Sequence, residues 1–166
     1  MVGVGLLGYQ LNFGEAGRRI SSRMFESILI RETEKSPHNP DLFRILGDIY
    51  YANSDFANAA HSYEKAAALD PRNSTVLNNL AWLYATCEDE RYQNPEKALE
   101  LAQRAAALDQ SPHILDTLAE SWYRNGRYPE AMEAGRRALE AAGKNRTYYA
   151  NQLKKFEEKA AEAAAK

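Results

Sequence analysis

The stretch that decides the fold is Pro40-Asp-Leu-Phe43-Arg-Ile-Leu46-Gly47-Asp-Ile-Tyr50-Tyr-Ala-Asn-Ser-Asp-Phe56-Ala-Asn-Ala59-Ala-His-Ser-Tyr63-Glu-Lys-Ala66-Ala-Ala-Leu-Asp-Pro71. It reads as two helices joined by a tight turn. Leu42, Phe43, Ile45, Leu46, Ile49, Tyr50 and Tyr51 leave the first helix, 41–52, little polar face. A helix apolar nearly all round is buried on more than one side. Gly47 in its middle costs about 1 kcal/mol relative to Ala, so a close approach of another helix is expected there. Asn53-Ser54-Asp55 turns the chain and supplies an N-cap oxygen. Phe56, Ala59, Ala60, Tyr63, Ala66 and Ala67 then fall on one helical stripe, and Pro71 ends the unit.

Most of the remaining chain repeats this unit. Leu77-x2-Leu80-Ala81-x2-Tyr84 follows 34 residues after the matching first-helix positions. Its second helix is expected over 95–108, with Asn94 as cap and Pro95 at the first helical position. Lys65-Ala-Ala-Ala-Leu-Asp70 recurs as Arg104-Ala-Ala-Ala-Leu-Asp109. Leu80 to Ala98 is five residues longer than Leu46 to Ala59, so an insertion lies around Glu88–Gln93. A third copy carries Leu115-x2-Leu118-Ala119-x2-Trp122, a break at Gly126 and a second helix over 128–142. There Gly135 stands where the first unit has Tyr63, and the pattern weakens. After Gly143-Lys144-Asn145, a last helix sets Tyr149, Leu153, Phe156 and Ala160 on one face. Lys154, Lys155, Glu157, Glu158 and Lys159 lie largely opposite, as a capping helix requires. The alanine-rich end, 160–166, is expected to fray.

Before the repeats, 15–36 reads as a helix with Ile20, Met24 and Ile28 at spacing four and Phe25 and Leu29 beside them. Ser36-Pro37 stops it, because the residue before proline avoids the helical region. Phe25, Leu29 and Pro37 sit 34 residues before Ala59, Tyr63 and Pro71, so the segment reads as the second half of a degenerate unit covering the next one. Residues 1–14 are apolar and glycine-rich. Gly3-x-Gly5-x-x-Gly8 has the spacing of a dinucleotide-binding turn but lacks the preceding strand and the βαβ unit that such a turn needs. The stretch is shorter than the about 20 apolar residues that span a bilayer. It is followed by Arg18, Arg19 and Arg23. It reads either as a frayed or packed N-terminal arm or as the tail of a membrane segment.

The chain has 166 residues, 21 basic and 23 acidic, for a net charge of −2. That balance argues against a nucleic-acid partner, which wants a basic face. A single cysteine, Cys87, forbids an intrachain disulfide, and Glu88, Asp89 and Glu90 beside it oppose a thiolate. His38, His61 and His113 fall in different units without ligand spacing, so no metal or cofactor is expected. No catalytic grouping is present, and an enzyme is not expected.

The pattern Phe43-x2-Leu46-Gly47-x2-Tyr50, Ala59-x3-Tyr63-x2-Ala66 and Pro71 resembles the tetratricopeptide repeat. The phrase Leu77 to Thr86 looks like bacterial members of that family. The resemblance covers roughly residues 38–145. It implies an all-α fold, a right-handed α-solenoid of three helix hairpins at 40–73, 74–111 and 112–144. A half repeat at 15–37 and a capping helix at 145–166 flank them, with the arm 1–14 outside.

In such arrays the first helices line the concave side. The resemblance therefore implies a groove of Arg44, Asp48 and Tyr51, then Asn78, Asn79 and Trp82, then His113, Asp116, Glu120 and Tyr123. Trp82, Tyr51 and Tyr123 are candidate anchors, although the two tyrosines equally suit packing between helices. Asn78 and Asn79 suit the backbone of an extended peptide. Some members clamp a C-terminal carboxylate. Arg44 and Asn79 match that clamp in kind, while Asp48, His113 and Thr117 stand where Asn, Lys and Arg would be expected. The clamp is mostly missing. The expected function is a protein-interaction scaffold binding a partner peptide or helix in the groove. Alternatives are a membrane-tethered recruiting domain and self-association through Leu6, Leu7, Tyr9 and Leu11. The location implied is cytoplasmic or membrane-associated.

Overall fold

Asparagine and aspartate side chains start four of the helices. The Oδ1 atoms of Asn39, Asp55, Asn73 and Asn94 accept hydrogen bonds from backbone N–H groups of the first turns that follow them, satisfying donors no intrahelical carbonyl can reach. Pro40, Pro95 and Pro112 open their helices, where the missing N–H costs nothing. A computed structural model describes residues 15–165, with side chains described from Met24 onward. The arm 1–14, including its glycine spacing and its apolar residues, lies outside the described residues.

The described chain forms eight α-helices, a short 3-10 turn and no strand. They are α1 (Glu15–Lys35), α2 (Pro40–Ala52), α3 (Phe56–Leu69), α4 (Ser74–Thr86), α5 (Pro95–Leu108), α6 (Pro112–Arg124), α7 (Tyr128–Ala141) and α8 (Arg146–Ala164). Helices α2 and α3, α4 and α5, and α6 and α7 pair as hairpins. The hairpins stack through α3 on α4, α5 on α6 and α7 on α8, while α4 and α6 also lie side by side. The result is an α-solenoid.

Leu46, Leu80 and Leu118 are all buried, at 5%, 2% and 7% exposure, and one apolar core runs through all three units by way of Tyr63, Leu80 and Leu118. A Cβ on Gly47 would lie 2.5 Å from the Tyr63 ring. The glycine thus lets the Tyr63 ring lie against the α2 backbone. Gly135, at the Tyr63 position of the third unit, has a different use. Its Cβ would meet Phe156 Cδ2 at 3.2 Å and Leu153 Cδ1 at 3.4 Å, so the missing side chain seats α8. Phe156 is fully buried there.

The turns inside the first and third hairpins match. Ser54 (φ 58°) and Gly126 (φ 72°) take the left-handed conformation, and Asp55 N–H and Arg127 N–H donate back to Tyr50 O and Trp122 O at 2.9 and 3.0 Å. In the second hairpin Asn94 N–H makes the corresponding bond to Tyr84 O at 2.9 Å. The five inserted residues therefore bulge out, as the 3-10 turn Glu90–Tyr92 against α3, without opening the hairpin. Cys87 at the start of the insertion is 1% exposed, and burial pushes its thiol up.

The N-terminal helix departs from the sequence expectation. Leu29 is buried against the array, but Met24, Phe25 and Ile28 of the expected packing stripe are 63%, 49% and 47% exposed. Only part of the stripe meets α2, because α1 has a neighbour on one side where α3 has α2 and α4 on two.

Candidate functional site

Three first helices, α2, α4 and α6, carry every residue expected in the groove. Their chemistry is dominated by acids that are already engaged. Asp48 on α2 takes Arg44 Nη1 at 2.8 Å, Tyr63 Oη at 2.7 Å and Asn79 Nδ2 at 3.0 Å. One carboxylate therefore ties α2 to its own hairpin partner and to the first helix of the next unit. Burial, together with Asp48, pushes the Tyr63 hydroxyl far above its ordinary range, so it stays a donor. Arg44 also lies 3.6 Å from Asp41.

On α4, Asn79 turns toward Asp48, and Asn78 Nδ2 reaches Asn79 Oδ1 at 3.4 Å. Because Asp48 can only accept, Asn79 must present its nitrogen to it and its oxygen to Asn78. The orientation of both amides follows. Asn78 is 7% exposed, and its Oδ1 is a buried acceptor with no partner among the described residues. Trp82 is partly exposed one turn further on, and Thr86 donates its hydroxyl to the Trp82 carbonyl at 2.8 Å.

On α6, His113 is exposed, but Asp116 and Glu120 are 6% and 4% exposed. Helix α8 covers them. Tyr148 Oη donates to Asp116 at 3.0 Å, and Lys155 Nζ lies 2.6 Å from Glu120, which also holds Arg124 at 2.8 Å. Burial raises the Asp116 carboxyl to about 6, against the Tyr148 hydrogen bond that works to lower it. Tyr123 packs on Tyr128 and Phe156, with Lys155 over its ring at 4.5 Å. Tyr51 stacks edge-on with Phe56 at 5.8 Å. Both tyrosines thus pack between helices.

Tyr51 packs on Phe56, and the structure sorts the other nine expected residues by what holds them. Arg44, Asp48 and Asn79 form one cross-link. Asp116, Glu120 and Tyr123 lie under or against α8. Asn78 and Trp82 remain on the middle helix without such a commitment, and His113 stands at the edge. Sequence reasoning missed Tyr63, Tyr148 and Lys155 as partners of these acids. A signal existed for one of them, because Lys155 lies 35 residues after Glu120, about one repeat on.

Other polar groups pair elsewhere. Glu64, Tyr84 and Lys97 join α3, α4 and α5, with Tyr84 Oη and Lys97 Nζ at 2.6 and 2.7 Å from Glu64. Glu64 and Tyr84 border a cleft of about 300 Å³ under the inserted turn. Its ionic groups are satisfied among themselves, with Arg91 held by Asp89 at 2.7 Å. No group of three or more metal-ligating side chains gathers among the described residues.

Two family models, each described as tetratricopeptide repeat, match residues 40–73 and 62–133. No curated protein sequence matches the chain. Among solved structures, the fold resembles a thermophilic TPR protein of Thermus thermophilus. It has 23% identity and a TM-score of 0.63, over 77% of this chain and 71% of that one. The first TPR domain of human RPAP3 gives 22% identity and a TM-score of 0.66, over 76% and 95%. The first TPR of Spaghetti, bound to the HSP90 peptide SRMEEVD, gives 21% and 0.64, over 74% and 93%. The helix pairs, their offsets of 34 and 38 residues and both family matches agree: this chain belongs to the tetratricopeptide repeat family.

Proposed function

We propose that the protein is an interaction scaffold that takes a segment of a partner protein along the row of α2, α4 and α6, centred on Asn78 and Trp82. The supporting observation is the unpaired Asn78 Oδ1. A buried acceptor without a donor costs about 1–3 kcal/mol, and such groups are rare in folded proteins. An incoming peptide N–H would satisfy it after a small turn of the amide. Trp82, next to it and partly exposed, offers the large flat surface that dominates interface energetics. Asp48 and its partners hold α2 and α4 in register and pre-organise this surface.

The Spaghetti domain holds the acidic peptide SRMEEVD. Here Arg44 and Asn79, the two residues suited to a carboxylate, are both bonded to Asp48. We expect SRMEEVD to bind this chain no more tightly than its C-terminally amidated form.

The test begins by selecting binders for the intact chain from a random peptide library. Their affinities are then measured by anisotropy for the wild type and for Asn78→Ala and Trp82→Ala. Each substitution is expected to weaken the selected peptides by about tenfold or more. Peptides that bind the double variant as well as the wild type would place the site elsewhere.

A further inference from the structure

The row of α2, α4 and α6 carries four acids, and three of them have a cation beside them. Asp41 and Asp48 share Arg44, at 3.6 and 2.8 Å. Glu120 holds Arg124 at 2.8 Å and Lys155 at 2.6 Å. Asp116 is the exception. It is 6% exposed, and among the described residues it forms no ion pair and takes one hydrogen bond, from the neutral Tyr148 hydroxyl. Burial and the neighbouring Glu120 both work against its charge, and Lys155, engaged by Glu120, offsets them only in part. A buried carboxylate without a counter-charge is costly to the fold.

The middle helix offers a second acceptor of this kind. Asn78 is 7% exposed, and its Oδ1 has no donor among the described residues. Asn78 follows Leu77 as Asp116 follows Leu115, so the two acceptors hold the same position in successive units, 38 residues apart like Leu80 and Leu118. Helices α4 and α6 lie side by side. Packed helices have axes about 8–10 Å apart, so side chains at matching positions can share one donor group set between them. Tyr148, which covers Asp116, is itself 43% exposed, so Asp116 lies one side chain below the surface. Trp82 stands one turn beyond Asn78 on the same face of α4 and is partly exposed. The cations nearest in the row are already spent, Arg44 on Asp48 and Lys155 on Glu120.

Two oxygen acceptors, one of them charged, beside an aromatic ring suit a cation with several N–H groups on an apolar stem. A metal ion suits them less, because no group of three or more metal-ligating side chains gathers among the described residues. An acidic segment would add like charge to a buried carboxylate. We infer that the partner segment places a lysine or arginine side chain between α4 and α6, its head group donating to Asn78 Oδ1 and the Asp116 carboxylate and its stem lying against Trp82. This rests on the peptide site proposed above and names what that site selects. The charge on Asp116 is then held ready for the partner at a cost in stability to the free chain.

The test uses pools of short peptides with a fixed central residue and randomised flanks, passed over the immobilised full chain. The centres are lysine, arginine, norleucine and citrulline. The lysine and arginine pools are expected to be retained about tenfold more strongly than the norleucine and citrulline pools, which keep the stems and lose the charge. Asp116→Asn should cut that preference to about threefold or less, with a Tm no lower than that of the wild type. Trp82→Ala should weaken the retention of every pool. Equal retention of charged and neutral pools, all weakened by Trp82→Ala, would overturn the inference and leave the peptide site standing. No retention, or retention that Trp82→Ala leaves unchanged, would remove both. A lysine preference that survives in Asp116→Asn would place the cation elsewhere and overturn the inference. So would spermidine binding as tightly as the lysine pool in calorimetry, which would assign the two acceptors to a free amine.

Discussion

At the scale of single residues, two backbone positions carry the sharpest expectations. Gly47 accepts the Tyr63 ring where a Cβ would lie 2.5 Å away, and Tyr63 cannot swing aside without breaking its 2.7 Å bond to Asp48. Overpacking of this kind costs about 1–3 kcal/mol and outweighs the roughly 1 kcal/mol that alanine gains in a helix interior. Gly47→Ala is therefore expected to destabilise the protein by about 1–2 kcal/mol in urea unfolding, and an unchanged midpoint would mean that the ring is not held. Ser54 is the opposite case. It sits at φ 58°, while the equivalent turn of the third unit uses Gly126. A left-handed conformation strains a residue with a Cβ, so Ser54→Gly is expected to stabilise by about 0.5 kcal/mol, read as a rise in Tm. The Gly47 contact was legible in the sequence because a glycine inside an apolar helix asks for a close neighbour. The seat at Gly135 was not, because its occupant Phe156 comes from beyond the repeat and nothing local marks the pair.

At the scale of elements, α8 is the piece whose attachment can be tuned. Phe156 is fully buried against α7 and Tyr123, so Phe156→Ala is expected to cost about 3–5 kcal/mol, and a loss under 1 kcal/mol would show that α8 is not docked in solution. The contact with α6 is ionic. Asp116 is buried with a carboxyl raised to about 6, above its unfolded value near 3.9. The folded state therefore binds a proton that the unfolded state has released, between about pH 4 and 6. Stability from this group is complete below pH 4 and is lost as pH rises through about 6. Asp116→Asn keeps an acceptor for Tyr148 and removes the titration. The variant should be more stable than the wild type at pH 7.5, with the difference shrinking toward pH 4. A difference that grows on acidification would reverse the sign of the argument. The paired carboxylates Glu64, Asp89 and Glu130 are shifted the other way, so only the difference between the two proteins isolates Asp116. The sequence placed Asp116 and Glu120 on the first helix of the third unit. It did not show that α8 would cover them, because their partners Tyr148 and Lys155 depend on how a non-repeat helix is rotated.

At the scale of the whole molecule, a stack of hairpins is held by neighbours alone, so local stability should follow position in the row. The offsets of 34 residues from Leu46 to Leu80, and of 38 across the insertion to Leu118, made the stack readable from the sequence. What the period could not convey is the inequality between its members. Helix α4 packs on α3, α5 and α6, and most of its side chains from Val76 to Ala85 are buried. Helix α1 packs on α2 and leaves Met24, Phe25 and Ile28 open. Cooperative units with fewer buried contacts open at lower free energy. Amide hydrogen exchange is therefore expected to be slowest in α4 and α6 and fastest in α1 and the alanine-rich end of α8. Uniform exchange through all eight helices would instead mean that the array opens as one body, and local stability would then not follow position in the row.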